Sequence, residues 1–524
     1  MNTRIWCWAA TLLVFTTFAW AQEIQPKSES TETFVVKPGD VVPPRVAPAC
    51  QPGSCPFEGQ TVTVIAARSA VSFAVGEIKQ EFEAATGARL NLIRVPGEEH
   101  FANLISDVTN RVGKYDASIA ASWWLGELVA GDYIRSYDEY YNDPRFPRWD
   151  IDEVLPAPRS MLSYDGKKYM VANSHSGEVI YYRRDLFADP QHQAAFRQKY
   201  GYALGAPKTW PQFRDVVEYF SGRDLIGDGV PGHGVTLALK PGSQGMFNYM
   251  ALSAPFVIGP DNPNLYWFDP QTMKPLLESP GHLRALKVFV DLCQFGSREM
   301  LTWEHGKGWG DFLEGHAALA MTWADLGALA QQEGSKVKGR VGVAPIPGTY
   351  EYYNLTQQAW VKTVQLNQVG NTLGGAWAGV ISKYSRAPEA TYYLLALMAT
   401  KEKSMTYVTR GWNAIGLGRR FQFLPPDGTA RIDDYLKAGW DEGDARALSK
   451  AFFDNFNNPQ QFPFLRIPGA YNYWLAFDLH LMEAVRGQLS PEAALKAAAV
   501  DFEEITIRLG RERQRQSYRE SLGL

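Results

Sequence analysis

The sequence predicts an α/β protein built as two sizeable bodies, and three observations carry that reading. Thr61-Val62-Thr63-Val64-Ile65 is a compact β-branched strand, Glu77 to Ala85 has helical spacing of Ile78, Phe82 and Ala85 before Thr86-Gly87, and Leu90 to Val95 is a second strand. Strand, helix, strand at this spacing is the parallel α/β pattern. Roughly 500 residues remain once an N-terminal export segment is set aside, enough for two domains rather than one core. Finally, Tyr169 to Tyr182 is extended chain interrupted by Asn173, Ser174, His175 and Ser176. A plain buried strand would be apolar there, so the pattern suits a strand that crosses a wet cleft.

In chain order, Met1 to Ala21 has the three parts of a secretory signal: Arg4, an apolar run from Ile5 to Trp20, and Ala19-Trp20-Ala21 as a small-x-small cleavage site. The run is short for a membrane span, which needs about 20 apolar residues. Gln22 rather than cysteine follows the signal, and no apolar run precedes Cys50, so the expectation is export without a lipid anchor. Residues 22–56 form an extended N-terminal arm rich in Pro, Ser, Thr and Lys. Cys50 and Cys55 lie close together within it, and an oxidising compartment favours a small-loop disulfide between them. Two thiols at this spacing, without a second pair or a nearby histidine, make a poor metal site, and Cys293 in an apolar helical segment is most simply a buried free thiol. The net charge of -4 becomes one unit more negative when Arg4 leaves with the signal, so charge gives no reason to expect nucleic acid.

Further along, Asn103 to Val112 is a helix and Tyr115 to Ala120 a strand that ends at Ser122-Trp123-Trp124. Asp165-Gly166 is a two-residue hairpin turn that opens the crossing. Helices are expected at Trp210 to Phe220 and His282 to Phe295, and strands at Gly234 to Leu239 and Ala317 to Trp323. Ser490 caps a late helix and Pro491 takes its first turn. Asp224 to Gly229 has its oxygens wrongly spaced for a calcium loop, and metalloprotease, P-loop and nucleophile-elbow motifs are absent.

Tyr164 to Phe187, YDGKKYMVANSHSGEVIYYRRDLF, followed by Pro207-Lys208-Thr209-Trp210, resembles the extracellular solute-binding proteins (family 1) of ABC importers, the sugar-type group that includes maltose-binding protein. That group has a GK-Y-hinge-YY-DLF crossing followed by a P-TW-F helix start. The likeness continues in order through Asp311 to Trp323, Gly339 to Gly348 as a second crossing, Gly374 to Ser382 with Ala387 to Ala390 as a third, and Gly487 to Leu495. It implies a two-lobed periplasmic-binding-protein-like α/β fold of type II, its lobes joined by hinge crossings. The expected bounds are 57–170 with 340–382 for lobe 1, and 171–339 with 383–524 for lobe 2. The arm, the insertion Thr349 to Asn371 and the segment Phe421 to Phe462 depart from the group's pattern.

The resemblance also implies a solute site between the lobes. Trp123 and Trp124 stand where the group places its first cleft loop, and adjacent side chains on extended chain alternate faces, so at least one is expected to face the cleft; the rival reading is a core tryptophan. His175 and Ser176 correspond to cleft-lining hinge residues able to hydrogen-bond hydroxyls, against a satisfied structural histidine. Trp323 and Asp325 follow a segment where relatives place a ring against the ligand, although Asp325 equally suits a helix cap. Gly374-Gly375-Ala376-Trp377 resembles the loop whose backbone approaches the ligand, which glycine permits. Gly411-Trp412-Asn413 and Arg419 lie where the group has its rim loop, and Arg419 also suits a solvated position. Tyr471, Tyr473 and Trp474 form a last aromatic cluster for which core packing is the simpler reading.

The expected role is a periplasmic, monomeric binding component of an ABC importer that captures a sugar, sugar derivative or polyol and passes it to permease subunits, with no cofactor, no metal and no catalytic residues. A non-carbohydrate cargo on the same fold, and a secreted carbohydrate-active enzyme with an Asp/Glu pair defined only by its spacing in space, are the alternatives.

Overall fold

The protein was analysed as a computed structural model whose described residues are 44–68, 70–410 and 415–524. The expected signal segment, residues 22–43 of the arm, and Trp412 with Asn413 lie outside them. In chain order the strands are β1 (Thr61–Ala67), β2 (Arg89–Val95), β3 (Ala117–Ala121), β4 (Ile134–Arg135), β5 (Ser163–Tyr164), β6 (Lys167–Lys168), β7 (Val171–His175), β8 (Val179–Arg183), β9 (His233–Thr236), β10 (Ala317–Thr322), β11 (Val341–Ala344), β12 (Thr349–Asn354), β13 (Ala359–Asn367) and β14 (Ala376–Ser382).

Two sheets organise the chain. The first has the order β2-β1-β3-β14-β4, with β7 also paired to β14. Its β1 runs parallel to β2 and β3, while β14 is antiparallel to β3 and β7. The second has the order β11-β8-β10-β9. Helices separate the parallel strands, as a parallel pair requires a crossover connection. The helix Lys79–Thr86 stops where Gly87 takes φ 72, the left-handed conformation glycine adopts without a Cβ penalty. Asp165 and Gly166 both have positive φ and close the β5-β6 hairpin in the expected register. Thr209 and Gln212 form a reciprocal capping box on the helix Trp210–Phe220, and Ser490 caps Pro491–Leu509.

Strand pairing divides the chain at other points than the expected lobe bounds. β7 belongs to the first sheet and β11 to the second. The helix Pro388–Met398 packs on β14, β7 and the helix Lys79–Thr86 of the first sheet. Lys401–Arg410 joins it through the buried pair Lys403–Glu81 and through Arg410–Glu77. The physical reason is that edge hydrogen bonds and helix docking are long-range choices that an apolar pattern does not encode. The first crossing is therefore the three residues Ser176-Gly177-Glu178 between β7 and β8.

The described part of the arm is held in place. Val46 and Ala47 donate backbone N–H groups to Glu81 Oε1, Lys403 donates to the Pro44 carbonyl, and Cys50 and Phe57 donate to the carbonyls of Ala84 and Thr86. The Cys50 and Cys55 sulfurs are bonded. Cys293 has no disulfide partner, and burial pushes its thiol up to about 12. The insertion at 349–371 contains the β12-β13 hairpin, packed on the helices Gly245–Val257 and Pro280–Cys293. The segment 421–462 contains the helices Ile432–Leu436 and Glu442–Phe456. Among the described residues no helix is long and apolar enough to cross a membrane.

Candidate solute site between the two sheets

Five large rings meet beside the ends of strands from both sheets. Trp123 lies in the single 3-10 turn Ser122–Trp124 directly after β3 and is half-buried. Its ring centroid is 5.5 Å from Trp377 on β14, 5.4 Å from Trp474 and 6.3 Å from Phe247. Phe247, on the helix Gly245–Val257, is 5.4 Å from Trp474 and 5.6 Å from Trp323, which follows β10. Trp377 thus lies on β14 of the first sheet and Trp123 directly after its β3, Trp323 directly after β10 of the second sheet, and Phe247 and Trp474 on the helices Gly245–Val257 and Ala470–Val485.

The Gly374-Gly375 loop runs between the two halves. Both glycines have positive φ, and a Cβ on Gly374 would stand 2.5 Å from Trp323 Nε1, while one on Gly375 would stand 2.5 Å from Ser122 Oγ and 3.0 Å from the Trp123 ring. Only glycine allows backbone this close to both indoles. Ser176 N–H donates to the Gly375 carbonyl at 2.9 Å, and Ala376 N–H donates to Ser122 Oγ at 3.0 Å, so the loop is pinned to the first crossing and to the turn carrying Trp123.

The indole Nε1 groups of Trp323 and Trp474 are buried and have no hydrogen-bond partner. An unmet buried donor costs about 1–3 kcal/mol, so two such donors beside the half-buried rings of Trp123 and Trp377 suit a guest that brings acceptor oxygens and C–H faces together. Ring faces stack with roughly 0.5 to 1.5 kcal/mol beyond area burial in aromatic pairs.

The remaining expected site residues border this ring set or lie outside it. Trp124 is 5 % exposed, its ring 5.8 Å from Trp377 and 6.3 Å from Trp123 as well as 5.0 Å from both His100 and Phe101. The chain turns at this point instead of staying extended, so face alternation is not what separates the two indoles. His175 is buried, its ring against Gly418, with both nitrogens unpartnered. Burial, and then the charge of Arg419, push its pKa down to about 3, which keeps it neutral. Asp325 is buried in the first turn of the helix Asp325–Leu329, where the helix dipole favours a carboxylate. Arg419 requires a correction: it is 2 % exposed and neither lines a rim nor faces solvent. Its guanidinium donates to the carbonyls of Ala399 and Ala172 and so ties the end of the helix Pro388–Met398 to β7. A long cation in a loop looks the same in sequence whether it is solvated or spent on buried carbonyls.

Three residues of this region escaped the sequence reading. Phe247 carries no local signal, because the whole helix Gly245–Val257 is buried. Trp474 sits in the aromatic cluster assigned to core packing, and both it and Tyr473 do pack in the core; Tyr473 packs against Phe268 and Phe502, and Trp474 also meets Trp123. Glu178 is fully buried at the end of the first crossing and accepts from Gln244 Nε2 at 2.9 Å and Asn248 Nδ2 at 2.8 Å. A lone acid between Gly177 and the apolar Val179-Ile180 was the available signal. Among the described residues no group of three or more His, Cys, Asp or Glu side chains is placed to hold a metal ion.

Residues 77–416, more than half of the chain, match the family described as bacterial extracellular solute-binding protein. Among solved structures, the chain is similar to an ABC transporter solute-binding protein from Agrobacterium radiobacter in complex with ribitol, with a TM-score of 0.65 and 19% identity over 86% of this chain and 100% of that one. A solute-binding protein from Agrobacterium vitis with bound D-mannitol gives a TM-score of 0.64 at 19% identity over 86% and 99% of the two chains. Maltose-bound MalE3 of T. maritima gives 0.61 at 17% identity over 85% and 100%. The two-lobed fold of these proteins is the fold of this chain.

Proposed function

The chain belongs to the bacterial extracellular solute-binding proteins, and from that premise we propose that it is the periplasmic capture component of an ABC importer for a sugar, sugar derivative or polyol. The observation that carries the reading is the ring set Trp123, Phe247, Trp323, Trp377 and Trp474, assembled from strand ends of both sheets and two helices, with two unpartnered indole donors among them. Ribitol, D-mannitol and maltose in the similar structures are guests of that chemical kind. The mechanism is capture by closure: the guest favours the closed form only by its greater affinity for it. A micromolar affinity corresponds to about -8.2 kcal/mol, within reach of several stacked rings and hydrogen bonds. The segment ending Ala19-Trp20-Ala21 serves export and is removed, and the mature monomer delivers its guest to the permease subunits without chemistry of its own.

The test is calorimetry of the purified mature chain against ribitol, D-mannitol, maltose and a wider panel of sugars and polyols. Stoichiometric binding that leaves the solute unchanged supports the proposal. Binding confined to a non-carbohydrate solute removes the cargo assignment and leaves the capture role, while sustained turnover of a glycoside overturns both.

A further inference from the structure

Glu178 ends the first crossing, and its surroundings connect that crossing to the ring set. Its backbone is read in both directions by Asn371, which accepts from Glu178 N–H at 2.8 Å and donates to the Glu178 carbonyl at 3.1 Å. Asn371 is in turn paired with Asn455 of the helix Glu442–Phe456, by bonds of 2.9 and 2.7 Å. Gly177 leaves no room for a side chain, since a Cβ there would fall 2.6 Å from Asn455 Nδ2 and 2.7 Å from the Asn371 carbonyl. The crossing is therefore fixed by the two Asn371 bonds to the Glu178 backbone, with Asn371 itself held by Asn455.

The Glu178 side chain goes toward the second sheet. Gln244, which accepts from and donates to Thr322 Oγ1, holds one carboxyl oxygen; Asn248, which also donates to the Met321 carbonyl at 2.9 Å, holds the other. Trp309 Nε1 donates to the same Thr322 hydroxyl at 2.8 Å. Gln244 and Asn248 flank Phe247 on one helix, and Met321-Thr322 immediately precede Trp323, so the carboxyl grips the two elements that supply Phe247 and Trp323 to the ring set.

The groups that face this carboxyl are all uncharged at neutral pH: Gln244 and Asn248 from the helix, Thr322 and the Met321 carbonyl from β10, and the Tyr181 hydroxyl from its own strand, which donates to the Trp323 carbonyl. Asp325 acts on Tyr181 and so adds a second negative charge to the neighbourhood. Neither bond to the carboxyl comes from a cation, and an acid removed from water without one is driven to its neutral form. Burial pushes Glu178 up to about 8, against the opposing pull of the Gln244 and Asn248 amides.

We propose that Glu178 is a positioning residue: its buried carboxyl clasps the first crossing to the helix and strand that carry Phe247 and Trp323, so that the geometry needed for solute capture depends on its protonation state. Ionised, the carboxyl is a buried charge met only by the neutral amides of Gln244 and Asn248, and the least costly relief is to loosen the Gln244-Asn248-Thr322 network and admit water. Phe247 and Trp323 then lose their fixed positions. The consequence for capture rests on the functional reading above; the clasp itself does not.

The experiment is a tryptophan fluorescence titration of the ligand-free mature chain from pH 5 to 9.5. Wild type is expected to show a one-proton transition near pH 8 that is absent in Glu178→Gln, which keeps the shape of the acid and cannot ionise. No transition in wild type, or the same transition in Glu178→Gln, overturns the proposal. Gln244→Ala, which strips one donor that favours the ionised form, guards against a Gln variant that fails to fold: it moves the transition to higher pH or beyond the range, and an unmoved transition overturns the clasp. With ribitol, D-mannitol or maltose, whichever binds, wild-type affinity falls at least threefold between pH 7 and 9 while that of Glu178→Gln stays level; a level wild-type affinity also overturns the proposal. If none of the panel binds, the functional reading fails and the fluorescence titration still decides the clasp.

Discussion

Trp123 and Trp267 are both tryptophans with four or more aromatic neighbours or bonds in reach, and they predict opposite phenotypes. Trp267 is fully buried and donates its indole N–H to the Pro463 carbonyl at 2.9 Å. Truncating it to alanine is expected to cost roughly 3–5 kcal/mol of stability. Trp123 is half-buried within the ring set, so Trp123→Ala should cost about 1–2 kcal/mol while reducing solute affinity at least tenfold. Urea unfolding and calorimetry on both variants decide the matter: equal stability losses would make Trp123 a core residue. At Glu178 the sign of the pH effect follows from its raised value. The folded state holds a proton between the ordinary carboxylate range and about 8 that the unfolded chain has lost, so the stabilising contribution of the protonated form fades as pH rises through that window. The advantage of Glu178→Gln over wild type in urea unfolding should therefore grow from pH 5 to pH 8 and then level off. An advantage that shrinks with rising pH would show that the carboxylate is the favoured buried form.

At the scale of elements, the helices Lys79–Thr86 and Lys401–Arg410 are joined by Lys403 and Glu81, which are 2 % and 5 % exposed, with Pro44, Val46 and Ala47 adding backbone bonds. Removing one partner of such a pair leaves a buried charge and typically costs about 3–5 kcal/mol, whereas replacing both by apolar groups is often neutral. Lys403→Met should thus lower thermal stability strongly and Lys403→Met with Glu81→Leu should recover most of it, as thermal unfolding of the two variants will show. Reduction of Cys50–Cys55, which closes a loop of a few residues on the same docked segment, is expected to lower the melting temperature by a few degrees and leave solute affinity unchanged. Much at this scale was legible locally. The turn at Asp165-Gly166, the Thr209 and Ser490 caps and the stop at Gly87 depend on residues within four positions of one another. The docking of residues 44–57 was not legible, because the acid and lysine that hold them are 322 residues apart.

For the whole molecule, two sheets joined through the three-residue crossing Ser176-Gly177-Glu178 give halves whose closure on a guest turns on a few residues. A bound solute is expected to reduce the radius of gyration in solution scattering and to change tryptophan fluorescence in the same concentration range; binding without compaction would remove closure from the mechanism. Protein from a native host should begin at Gln22 and be recovered without detergent, and mass spectrometry that finds Met1 retained or a lipid on Cys50 would refute the export reading.

By itself the sequence determined a good part of the strands and helices, the capped and turned ends, and the crossing at Tyr169 to Tyr182, because periodicity, caps and turns are set by neighbours along the chain. It also marked Trp123, Trp323, Gly375 and Trp377 through family likeness. Only the tertiary structure decided which rings meet. Trp123, Phe247, Trp323 and Trp474 come from distant parts of the chain, and an indole in a site has the same local pattern as one in a core. The same holds for Arg419, buried against carbonyls of Ala399 and Ala172, and for Glu178, whose raised pKa follows from its burial rather than from any neighbour in sequence. Burial and pairing belong to the packed molecule, and they fix what a polar or aromatic side chain does there.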